Sequence, residues 1–166
     1  MQVASKLKAV PKVVGAGEGS SASDDVDIEI ECTINRPPVV PDGNYELAFV
    51  RVDQKKNLWG RMKLFLHFKI LDQGEHFGKV LFMAVNVPPN GNFSISSKFL
   101  QQWVIAAGFH PSRRDRLSTR VFRGKVFFGA VRTVTQFVHS SKKMKDRDPE
   151  SFYSVVDHLL EVRAGL

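Results

Sequence analysis

The sequence predicts an all-β fold: a small barrel of five antiparallel strands, one helix between strands three and four, and a flexible N-terminal arm. Three observations predict it. Short segments alternate apolar and polar residues with period two, as half-buried strands do. A single segment carries helical spacing instead. Gly, Pro, Asn and Asp punctuate the chain at short intervals, and no repeat of about 20–50 residues is visible. A length of 166 residues fits one domain with a real core.

The elements follow in order. Residues 1–41 form the arm. Gly15 to Ser23 is small and polar, and Asp24 to Glu31 alternates acids with Val26, Ile28 and Ile30, which suits an added edge strand or a solvated acidic linker. Pro37, Pro38 and Pro41 close it, so the folded domain is placed at 42–166. Asn44 to Val52 is the first strand. Asp53 to Gly60 reads as a charged turn. Arg61 to Leu71 is the clearest strand, with Met62, Leu64, Leu66, Phe68 and Ile70 opposed by Lys63, Phe65, His67 and Lys69. Asp72, Gly74 and Gly78 mark a turn before the third strand, Lys79 to Val87, which Pro88-Pro89-Asn90-Gly91 ends.

Then Phe99, Leu100, Trp103, Val104 and Ala107 fall at helical spacing. Ser96 or Ser97 caps the start, Gly108 suits the end, and Pro111 bars continuation. Trp103 lies on the apolar stripe and belongs to the core. A basic loop leads to the fourth strand, Lys125 to Gln136. Gln136 to Ser151 reads as a long charged loop. Phe152 to Val162 fits a fifth strand or a short helix, because Val155, Val156, Leu159 and Leu160 suit both. The order β-β-β-α-β-β is that of an OB-fold, with a β-grasp or split sandwich as alternatives.

Charge adds a function class. The chain has 24 basic and 17 acidic side chains. Residues 1–42 hold four basic and seven acidic groups, a balance of −3, and the rest sums to +10. A compact domain with that surplus attracts polyanions. In OB-folds, oligonucleotides bind the face of strands two and three, flanked by the loops between strands one and two and between strands four and five. Aromatic and basic groups converge there from three segments. The first loop supplies Lys55, Lys56, Trp59 and Arg61; strand two supplies Lys63, Phe65, His67 and Lys69; the later loop supplies Lys142, Lys143 and Lys145, with Phe137, His139 and Arg147 nearby. Arg132 extends the set from strand four, and the facing of Phe82 is ambiguous. Exposed rings stack on bases while cations meet phosphates. Arg113, Arg114, Arg116, Arg120 and Arg123 form a second basic stretch, suited to further phosphates, a protein partner or plain solvation.

Other classes lack support. There is no phosphate-binding Gly-rich loop followed by Lys-Ser or Lys-Thr, no His-Glu-x-x-His, and the five histidines are scattered. No enzyme, cofactor or metal is expected. A single cysteine, Cys32, excludes an internal disulfide and fits a reducing cytoplasmic compartment. No apolar run is long enough for a membrane span.

Gly43-Asn44-Tyr45-Glu46, Ile70-Leu71-Asp72-Gln73-Gly74, Phe77-Gly78-Lys79, Ala106-Ala107-Gly108 and Phe122-Arg123-Gly124-Lys125 are short motifs spread over residues 42–163. Through them the chain resembles the OB-fold single-stranded-DNA-binding proteins of phages and integrative elements. The resemblance implies non-catalytic coating of exposed strands in replication, recombination or transfer, without a cofactor. The housekeeping bacterial members end in an acidic tail with a terminal Phe, and this chain ends Glu161 to Leu166 without it. The expected partner is therefore single-stranded DNA, bound with little sequence preference. An adapter in a replication or recombination complex and an RNA-binding OB-fold are the alternatives. A homo-oligomer built through strand edges has no specific marker.

Overall fold

The computed structural model describes residues 37–56, 61–138 and 144–165. The arm up to residue 36, with its acidic segment and Cys32, lies outside the described residues, as do Trp59, Lys142 and Lys143. The first strand, β1 (Gly43–Lys56), is long enough to serve two neighbours. Its second half pairs antiparallel with β2 (Met62–Ile70), and β2 pairs with β3 (Val80–Val87). The helix α1 (Lys98–Ala107) and a 3-10 turn, Thr119–Phe122, lead to β4 (Lys125–Val134), which pairs with the first half of β1. A two-stranded hairpin follows, β5 (Gln136–Val138) with β6 (Met144–Asp146), and the last strand is β7 (Tyr153–Gly165). β7 lies between β4 and β3, so the ring runs β1-β2-β3-β7-β4 and returns to β1.

The mostly-β class and the helix between β3 and β4 agree with the sequence reading. Three details differ. The five ring strands are not all antiparallel: β7 meets β3 in parallel, at Phe82 opposite Val155. The charged loop after β4 contains the β5–β6 hairpin. Asp53 to Lys56 belongs to β1 rather than to a turn, because a bulge near Val50 lets the strand bend and keep pairing with β2. The last segment is a strand, which resolves its two readings.

Alternation sets the interior. Leu66, Phe68 and Ile70 of β2, and Leu81, Met83 and Val85 of β3, point inward and are buried. Phe127 and Val131 of β4, and Val156 and Leu159 of β7, complete the wall. Gly129 in β4 is required by close approach: a Cβ there would sit 2.8 Å from Leu47 Cδ1 and 3.1 Å from the His158 carbonyl oxygen. The helix supplies Phe99, Leu100, Trp103 and Ala106 to the same core. Each large apolar side chain so buried contributes roughly 1.5–3 kcal/mol. Ser97 caps α1 by accepting from the Leu100 N–H, and Gly108 ends it in the left-handed region at φ 78°. Trp103 is a core residue as expected, and its Nε1 donates to the Ser118 carbonyl at 3.0 Å.

Two buried polar groups fasten this shell. The Leu159 N–H of β7 donates to Oε1 of Gln102 on the helix, at 2.5 Å. The Ser154 hydroxyl donates to the Val40 carbonyl and accepts from the Val40 N–H, both at 2.8 Å, tying the lead-in segment to β7. Val40, just before Asp42, is fully buried. No described helix is long and apolar enough to cross a membrane. Gln102→Leu should leave the Leu159 N–H buried without a partner and cost about 1–3 kcal/mol. Urea unfolding measures this; an unchanged midpoint would contradict the role given to Gln102.

Candidate nucleic-acid interface

The face turned away from the core carries the chemistry. On β2 it presents Lys63, Phe65, His67 and Lys69, and on β1 the residues opposite are Lys55, Asp53 and Arg51, aligned with Lys63, Phe65 and His67. On β3 the outward positions include Phe82, Ala84 and Asn86, with Phe82 opposite His67 and Asn86 opposite Lys63. Parallel pairing then brings Tyr153 of β7 beside Phe82.

The result is a row of rings across three strands. Phe65 meets Phe82 edge to face, with centroids 5.6 Å apart. Phe82 stacks on Tyr153 at 5.9 Å and 21°. All three are half-buried, each covering part of its neighbour and leaving part to solvent. A cation sits at each end. Lys55 Nζ is 5.6 Å from the Phe65 centroid. The Arg147 guanidinium is 5.0 Å from the Tyr153 ring and 5.5 Å from Phe137 on the hairpin. Such pairs contribute about 0.5–1 kcal/mol each at exposed sites, so here they chiefly position the cations. Arg147 also anchors the hairpin, with its N–H donating to the Thr135 carbonyl at 2.8 Å.

Open clefts border the row at both ends. One, of about 790 Å³, has Arg147, Phe152, Tyr153 and Pro37 among its walls. The other, of about 680 Å³, is lined in part by Arg61, Lys63, Asn86 and Pro88. The first cleft takes in Tyr153 of the row, and the second takes in Lys63, two residues from Phe65 on β2.

Asp148 and Glu150 also line the cleft beside Tyr153, and two other carboxylates are tied to cations. Asp53 Oδ2 lies 3.3 Å from Arg51 Nε and 2.9 Å from His67 Nε2. Asp157 binds Arg132 Nε at 2.9 Å and His158 Nδ1 at 3.0 Å. Burial opposes ionisation of Asp157, but hydrogen bonds from Arg132 and His158 outweigh it and hold the carboxyl below its usual range. Burial, with the positive charge of Arg51, pushes His67 below the ordinary histidine value despite the opposing pull of Asp53.

Of the residues singled out from sequence, Lys55, Lys63, Phe65, His67 and Lys69 share this face. Arg61 lies at its edge, beside the second cleft. Lys145 stands exposed on the hairpin, opposite Phe137. Lys56 is aligned with Met62, on the other side of β1. Arg132 is engaged by Asp157, on the part of the wall beyond Val155. Tyr153 has no signal in the sequence that marks it for this face, and the sequence shows Phe82 and Arg147 without their places. Among the described residues no group of His, Cys, Asp or Glu is arranged to hold a metal ion.

No family model, no curated protein sequence and no solved structure matches this chain.

In the free protein His67 should titrate below about 6.5, the value of an unconstrained histidine. With the folded value depressed, its contribution to stability is intact above the unfolded value and is lost as pH falls through that value toward the folded one. A histidine-resolved NMR titration reads this directly; a His67 midpoint above the unconstrained value would contradict the geometry.

Proposed function

We propose that residues 42–166 form an OB-fold that binds single-stranded DNA with little sequence preference and without catalysis. The fold reading is supported by the ring order β1-β2-β3-β7-β4, by the parallel β3–β7 contact and by the position of α1 between β3 and β4. In OB-folds the oligonucleotide face is that of strands two and three, between the loops after strands one and four. Here those loops begin at Lys55–Lys56 and carry the β5–β6 hairpin.

The observation that carries the function is the row Phe65–Phe82–Tyr153 bracketed by Lys55 and Arg147. Base–aromatic stacking is worth about 1–3 kcal/mol per base and accepts any base, because each has a π face. A duplex hides those faces, so the row favours single strands. Lys63, Lys69 and the bracketing cations meet phosphates, and binding weakens as salt rises because counterions are released. By its resemblance, the chain acts where strands are exposed, in replication, recombination or transfer of a phage or mobile element.

The test is fluorescence anisotropy with labelled oligo-dT, oligo-U and a duplex of equal length, at low and high salt. The proposal expects oligo-dT to bind well above the duplex and to fade with salt. Tyr153→Ala and Phe65→Ala should each weaken it about fivefold to a hundredfold, the equivalent of about 1–3 kcal/mol. Stronger binding of oligo-U than oligo-dT would move the reading to RNA, and equal or better binding of the duplex would overturn it.

A further inference from the structure

The sequence carries a second basic stretch, and the fold brings its end round to the candidate face. Arg120 lies on the 3-10 turn Thr119–Phe122, and the Arg123 N–H donates to the Arg120 carbonyl at 3.1 Å. Gly124 follows at φ 63°, turning the chain into β4 and leaving Arg120 and Arg123 exposed. Beside this turn is the bulge of β1, where the strand bends and Val50 is left 46% exposed.

Between them lies a cleft of about 330 Å³, lined by Arg51, Val50, Thr119, Arg123 and Gly124 among others. None of its lining residues is acidic. Arg51 shares its charge with Asp53 at 3.3 Å, but neither Arg120 nor Arg123 makes an ion pair among the described residues. Arg51 is aligned with His67 across β1 and β2. The cleft therefore starts one strand away from His67, whose ring centroid lies 6.4 Å from that of Phe82.

We infer that this cleft is a second phosphate site, in which Arg51 and Arg123, with Arg120 exposed on the adjoining 3-10 turn, take the backbone of the same single strand after it leaves the aromatic face over β1. The inference rests on the reading of that face as a single-strand site. Three features support it. Guanidinium groups match phosphate oxygens with paired N–H donors. The bulge opens the strand edge that would otherwise separate the two surfaces. The one ring that lines the cleft, Phe49, is half-buried and packed against Phe68 and Phe122 of the core, so the cleft offers guanidinium groups for backbone rather than a free face for bases.

The consequence is a dependence on length. An oligo-dT of about 6 nucleotides fills the aromatic face alone, whereas one of about 25 reaches the cleft as well. The doubly substituted Arg120→Gln, Arg123→Gln protein keeps every described hydrogen bond of the core and should unfold at the wild-type temperature. It should bind the short oligonucleotide as the wild type does and the long one about tenfold more weakly. Its salt slope on the long oligonucleotide should fall by about 1.4, the release expected for two single-strand phosphates. Wild-type affinity for both lengths would overturn the inference, and so would an equal loss for both, which would put these arginines in the short site. Failure of the wild type to bind either length would instead sink the single-strand reading itself. Inorganic pyrophosphate competing against the long oligonucleotide as well as against the short one would also count against it, since an anion lodging in this cleft must act on the long one selectively.

Discussion

The parallel contact of β7 with β3 is the constraint on which the rest depends. It occurs at one register point, Phe82 opposite Val155, yet it closes the ring and assembles the outer face. A parallel neighbour cannot be reached by a tight turn, so the chain between β3 and β7 is long. That chain holds α1, β4 and the hairpin. α1 packs where β3 and β7 are least paired, and Gln102 takes the Leu159 N–H that the sheet leaves open. The same approach of strands stacks Tyr153 on Phe82. Core and candidate site are two sides of one register.

That coupling explains the division of labour on the face. Rings that lean on one another are held in place before any ligand arrives, which lowers the ordering cost of binding. The cations that border them are on separate elements: Lys55 at the end of β1, Arg147 behind the hairpin, Lys63 and Lys69 along β2. Asp53 and Asp157 hold Arg51 and Arg132 in fixed directions. The arrangement suits a ligand whose charge runs along a flexible line and whose flat groups are interchangeable.

Much of this was legible in the sequence, and the exceptions have physical causes. The alternation of β2 shows both its inner and outer residues, because that strand is regular. β7 is not regular: a bulge at Asp157 sets inward Val156 and Leu159 three apart, the spacing of a helix. Its sequence therefore suited either element, and Tyr153 could not be assigned to a face. Phe82 was ambiguous because β3 is apolar on both sides for half its length. Lys55 and Lys56 read as loop because turn-forming residues surround them, while pairing with β2 extends β1 through both. The hairpin hides in a charged segment whose strands are only three residues each.

The central claim is that bases lie on the row formed by β2, β3 and β7. Ultraviolet cross-linking of oligo-dT to the protein, with the modified residues located by mass spectrometry, tests it most directly. The account predicts cross-links at Phe65, Phe82 and Tyr153. Cross-links confined to the separate cleft between the end of α1 and β7, lined by Phe109, Leu160 and Val162, would contradict it.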